Sequence, residues 1–131
     1  MERNILSEMQ ALEIVFDEFT FKRHGGKTDN EVSCSFNIEI WDNQDSNTLH
    51  KVILEAKITK ESEYDLCIAI SGVFQFNEGI SDQEKQELLN KNAVAILLPY
   101  VRSQVAILTA QPGTDSVTLP VLNISNMMST D

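Results

Sequence analysis

Residues 92–127 read NAVAILLPYVRSQVAILTAQPGTDSVTLPVLNISNM, an almost uniformly apolar helical stretch followed by a Pro/Gly turn and a short apolar tail. A helix on the surface of a single subunit needs one apolar stripe. This one carries Val101, Val105 and Leu108 on one stripe, and Tyr100 and Ile107 extend a second. Two apolar sides call for two apolar partners, which points to an assembly. Pro99 lacks an amide hydrogen and crowds the turn before it, so regular helix is expected chiefly after Pro99, with local irregularity ahead of it. QPGTD (111–115) then closes the helix, and TLPVLNI (118–124) reads as a short extended segment that Pro120 bars from a central strand.

Upstream, Ser81 followed by Glu84 fits a helix-capping box, with Leu88 and Leu89 supplying an apolar side. Four strands precede it. In VSCSFNIEIW (32–41), Val32, Cys34, Phe36, Ile38 and Ile40 alternate with polar residues. KVILEAKIT (51–59) turns Val52, Leu54, Ala56 and Ile58 inward. YDLCIAISGVFQF (64–76) does so with Leu66, Ile68, Ile70, Phe74 and Phe76, and Gly72 on the same parity leaves room for a bulge or the close approach of another element. In LEIVFDEFTFKR (12–23), Leu12, Ile14 and Phe16 share one parity and Phe19 and Phe21 the other. A bulge near Asp17–Glu18 would return both sets to one face. Strands followed by helix, without βα alternation, predict an α+β fold: a four-stranded antiparallel sheet and a long C-terminal helix in a single domain spanning 1–131.

Composition narrows the function. Ten Lys and Arg against 20 Asp and Glu give a formal charge of −10, which repels nucleic acid and favours basic or apolar partners. The start MERNILSEMQ lacks a secretory pattern, and no apolar run reads as a membrane span, so a cytoplasmic protein without membrane insertion is expected. Cys34 and Cys67 lack CxxC spacing and read as core or half-buried thiols. His24 and His50 fit no ligand or catalytic spacing, and the glycines form no phosphate loop. The expectation is a non-enzyme with no cofactor and no metal. Tyr100 and Trp41 are each open to packing or interface roles.

Asn92, Ile96, Leu97, Pro99, Tyr100 and Arg102, then Gly113, then Leu119, Pro120, Val121 and Asn123 form a cluster that resembles the SecB family of protein-export chaperones. Ser71–Phe74 looks like that family's Gly-Ile-Phe strand, and the order of elements extends the likeness over about residues 12–127. The resemblance implies ATP-independent binding of unfolded or non-native polypeptides, and a homodimer or homotetramer with helices packed between subunits. It further implies Phe74, Phe76, Val121 and Leu122 as polypeptide-binding residues and Tyr100, Val101, Val105 and Leu108 as oligomer interface. Glu18 matches one acid of the surface on which family members dock a SecA-type motor, whereas Lys22 and Cys67 stand where other acids are expected. The family's Cys/His-rich zinc tail and second helix have no counterpart in this sequence. Two alternatives remain open: a chaperone specific for an antitoxin, and a structural or adaptor protein that kept the fold without its grooves.

Overall fold

The computed structural model describes residues 8–119. Strands β1 (Met9–Arg23), β2 (Val32–Asn43), β3 (Ser46–Lys60) and β4 (Tyr64–Phe76) form one antiparallel sheet in the order β1-β4-β3-β2. The two central strands are therefore β3 and β4. Val52, Leu54, Ala56 and Ile58 have no exposed surface, and Leu66, Ile68, Ile70, Phe74 and Phe76 keep at most 2% of theirs. On the other face Ala69 and Ser71 are also buried, because each is small and sits between longer cross-strand neighbours, Glu18 and Glu55 or Val15 and Ile53.

The parity switch in β1 is resolved by a register shift between Phe16 and Glu18. Phe16 then faces Ile70, Phe19 faces Ile68 and Phe21 faces Leu66, so both apolar sets lie on the helix side. A second shift, between Ala11 and Glu13, has no counterpart in the parity pattern.

Helices α1 (Asp82–Leu88) and α2 (Val94–Thr109) are joined by a π turn, Leu89–Ala93, into one 28-residue helix. Ser81 caps it, its hydroxyl accepting the Glu84 amide hydrogen at 3.2 Å. Irregularity does precede Pro99, but as the π turn; Pro99 itself lies inside α2. Pro99 and Ala95, whose carbonyl loses its usual donor, are both exposed, so water can satisfy the freed oxygen. The π turn allows Leu89 and Ala93 to reach the sheet together with Val94, Leu97, Val101 and Val105, all fully buried. In length and apolar composition the helix would also suffice to cross a membrane, but this buried face is that of a core helix.

Gly72 is where helix and sheet come closest. A Cβ there would stand 2.7 and 2.9 Å from the Phe74 ring and 3.2 Å from Leu97 Cδ2. Gly72→Val is accordingly expected to cost about 1–3 kcal/mol by overpacking. Urea denaturation reads this as a lower midpoint at unchanged slope; an unshifted midpoint would mean that ring and helix yield freely.

Beyond α2 the chain turns at Gly113, whose φ is +79°, and doubles back. The Val117 amide donates to Thr109 Oγ1 at 2.8 Å, and Arg102 Nε donates to the Leu119 carbonyl at 3.2 Å. A polar clamp holds this return to the far end of the sheet. Lys60 pairs with Glu63 at 3.1 Å, Lys27 with Asp115 at 3.0 Å and His24 with Asp65 at 2.7 Å, and Arg23 donates to Thr114. The Thr28 amide holds the Glu63 carboxyl below its ordinary range, as His24 does for Asp65 and Lys27 for Asp115. Depressed folded values give stability that is present above the unfolded carboxylate range and lost as pH falls through the folded values. Thermal melts are thus expected to drop once pH goes below about 4. A midpoint constant from pH 6 to pH 3 would show that the clamp contributes nothing.

Candidate functional site

Sheet and helix differ in width. Strands about 4.8 Å apart make a four-stranded sheet wider than the roughly 10 Å diameter of one helix. Helix α2 lies over β4 and β3, which leaves the apolar rows of both edge strands incompletely covered.

Along β2, Phe36, Ile38 and Ile40 are half-buried, while Val32 and Cys34 are exposed. Along β1, Ile14, Phe16 and Phe21 are half-buried, whereas Leu12 keeps 51% and Phe19 49% of its surface. On the β1 side the seam is aromatic: the Phe16 and Phe19 rings are 4.7 Å apart, and Tyr100 from α2 meets Phe16 edge-on at 6.4 Å. Tyr100 and Ile107 stand out from the helix, Ile107 at 62% exposure. Two open apolar seams thus flank α2.

The residues expected at these surfaces are redistributed. Phe74 and Phe76 lie on central β4, beneath the helix, at 0% and 2% exposure, and so belong to the core. Val121 and Leu122 lie outside the described residues. Val101 and Val105 are fully covered within the chain itself and present no surface to a second chain, whereas Tyr100 is open and Leu108 half-buried. Phe36, Ile38, Ile40, Phe16 and Phe19 carry the open surface instead. Four apolar strand rows set against a single helix were the available sign that two rows would stay open.

On the outer face of the sheet Glu18 is exposed and accepts the Thr20 hydroxyl hydrogen at 2.8 Å. Ligand atoms of Glu18, Glu55 and Cys67 lie within 4.8 Å of one another. Burial first, and then the two carboxylates, push the Cys67 thiol up. Cys34, on β2, is exposed rather than half-buried. Both histidines are tied to carboxylates: His24 to Asp65, and His50 Nδ1 to Asp42 at 2.9 Å. His50 packs edge-on against Phe76, 5.5 Å between ring centres, and closes that end of the core.

Comparison with known proteins agrees with this architecture. The sequence profile of the family described as preprotein translocase subunit SecB matches residues 12–130. An uncharacterized protein of Methanocaldococcus jannaschii is 31% identical over 108 residues, 77% of this chain and 69% of that protein. A SecB-like chaperone of Mycobacterium tuberculosis, Rv1957, solved in complex with a ChAD peptide from the HigA1 antitoxin, superposes with a TM-score of 0.75 over 91% of both chains at 15% identity.

Proposed function

The chain belongs to the SecB family, and on that footing we propose that it binds unfolded or non-native polypeptides without ATP, holding their extended apolar segments in an open seam beside α2. The observation that carries this is the half-covered row Phe36, Ile38 and Ile40, an apolar surface that the subunit's single helix is too narrow to close. A chaperone of the same fold was solved holding a peptide from an antitoxin, which supports polypeptide binding as the use of such a surface.

The two seams suit different occupants. On the β1 side, Phe16, Phe19, Tyr100 and Ile107 make an aromatic surface fit for a second copy of the chain, in a homodimer or homotetramer. The β2 side is flanked in the chain by Glu31 and Asp42, which favours transient capture of segments that mix basic and apolar residues. Each client side chain fully buried there contributes about 1.5–3 kcal/mol before ordering costs, so several partial pockets suffice for reversible binding. No bond chemistry enters this reading. Docking of an export motor rests on Glu18 alone, with Lys22 and Cys67 in place of further acids. An antitoxin client therefore fits these residues at least as well as an exported one.

Equilibrium titration against a labelled, permanently unfolded polypeptide, with its folded counterpart as control, tests the proposal. Saturable preference for the unfolded chain supports it. Binding to neither, in a sample whose scattering mass is that of an oligomer, would transfer the weight to an adaptor with one folded partner.

A further inference from the structure

The outer face of the sheet breaks its own alternation at one end. Cross-strand register sets Trp41 opposite Lys51, Lys51 opposite Val73 and Val73 opposite Glu13; the next row is Glu39, Ile53, Ser71 and Val15. Trp41 is 57% exposed and Val15 40%, and Leu49, Ile53 and Val73 are half-buried, all on the face away from α2. Further along the same face the rows are polar except on β4, where the residues are small: Asn37, Glu55, Ala69 and Glu18, then Ser35, Lys57, Cys67 and Thr20. Solvent-facing positions of a half-buried sheet ordinarily carry polar residues, so an apolar strip here is a surface awaiting cover.

Its shape and charge specify what would cover it. A concavity of about 280 Å³ is lined by Trp41, Leu49, Val73, Lys51 and Asp42, among others. The Trp41 indole N–H points to Glu39 Oε2 at 3.4 Å, which sets a carboxylate beside the ring. From Thr28 to Leu49 the chain carries Asp29, Glu31, Glu39, Asp42 and Asp45 and no lysine or arginine. Lys51 is the lone lysine or arginine among the lining residues, and its alkyl stem extends the apolar floor.

We propose that Trp41, Val73, Leu49 and the adjoining Glu39 form a second docking site, for a linear basic segment of a partner protein that alternates arginine or lysine with aliphatic residues. A guanidinium over the Trp41 ring is attracted by its π face and reaches the Glu39 carboxylate at the same time. An aliphatic neighbour two residues along an extended segment fills the concavity over Val73 and Leu49. This surface lies on the opposite side of the sheet from the two seams, and toward the other end of the outer face from Glu18, so it is free to work while a client is held. A second copy of this chain is a poor occupant, because it would bring the same acidic stretch against this one.

Trp41 is the chain's only tryptophan, so its fluorescence reports on this patch alone. The full chain is titrated with a synthetic, tryptophan-free peptide alternating arginine and leucine, and with a glutamate–leucine counterpart. The same samples carry a labelled unfolded client read by anisotropy. The expected result is a saturable blue shift of Trp41 emission and protection from acrylamide with the arginine peptide only. Glu39→Gln, an exposed change, weakens that response about fivefold without altering client anisotropy. Emission unmoved by the arginine peptide, or moved equally by the acidic one, overturns the proposal. So does a blue shift produced by concentrating the protein alone, which would assign the patch to a second copy. Loss of client anisotropy with the Trp41 response intact would count against the seam and not against this site.

Discussion

Replacing Phe74 with alanine is expected to lower stability by about 3–5 kcal/mol and to leave the client affinity of the molecules that remain folded unchanged. The ring is fully buried on central β4, its edge occupies the space that Gly72 leaves open, and Leu97 of α2 closes over the same spot. Truncation removes a large apolar side chain from a site that rigid neighbours on sheet and helix cannot collapse to fill. Domains of this size are stable by about 5–15 kcal/mol in all, so the loss should be plain in urea denaturation and in expression yield. Affinity measured well below the unfolding midpoint separates the two roles. An affinity that fell while stability held would return Phe74 to a groove wall.

The second large effect is expected on binding. Phe36→Ser combined with Ile40→Ser removes two half-buried side chains of β2. At about 1.4 kcal/mol each, client affinity falls about tenfold per substitution, and about a hundredfold together if the two act independently. The cost in stability should be smaller than for Phe74, because both positions lie on an edge strand that the helix only partly covers. Phe19→Ser on the opposite seam is the matched control, expected to lower the scattering mass of the proposed homo-oligomer rather than the affinity of the β2 side. A folded double variant that bound client as tightly as the parent would exclude the β2 seam.

Phe36 and Phe74 show why only part of the site was legible. Both occupy inward positions of alternating strands, and nothing in either local pattern separates them. Phe74 is sealed because β4 lies between β1 and β3; Phe36 is half open because β2 lies at the rim. Val101 and Ile107 divide the same way on the helix: each is apolar, but one turns to the sheet and the other to solvent. The π turn likewise has no residue signature in LNKNA (89–93) that would move the irregularity there from the neighbourhood of Pro99.

By itself the sequence determined what depends on neighbours a few residues away: four alternating strands, the bulge after Phe16, the Ser81 cap and the apolar helix closed by its Pro/Gly turn; at Gly72 it left a bulge and a close approach both open, and the structure shows the approach of the helix. The family cluster from Asn92 to Asn123 was legible for the same reason, since it is a contiguous pattern. Only the tertiary structure decided which apolar residues are closed and which remain open. Coverage depends on strand order and on one helix being narrower than four strands, and both arise between residues far apart in the chain, where no local period records them.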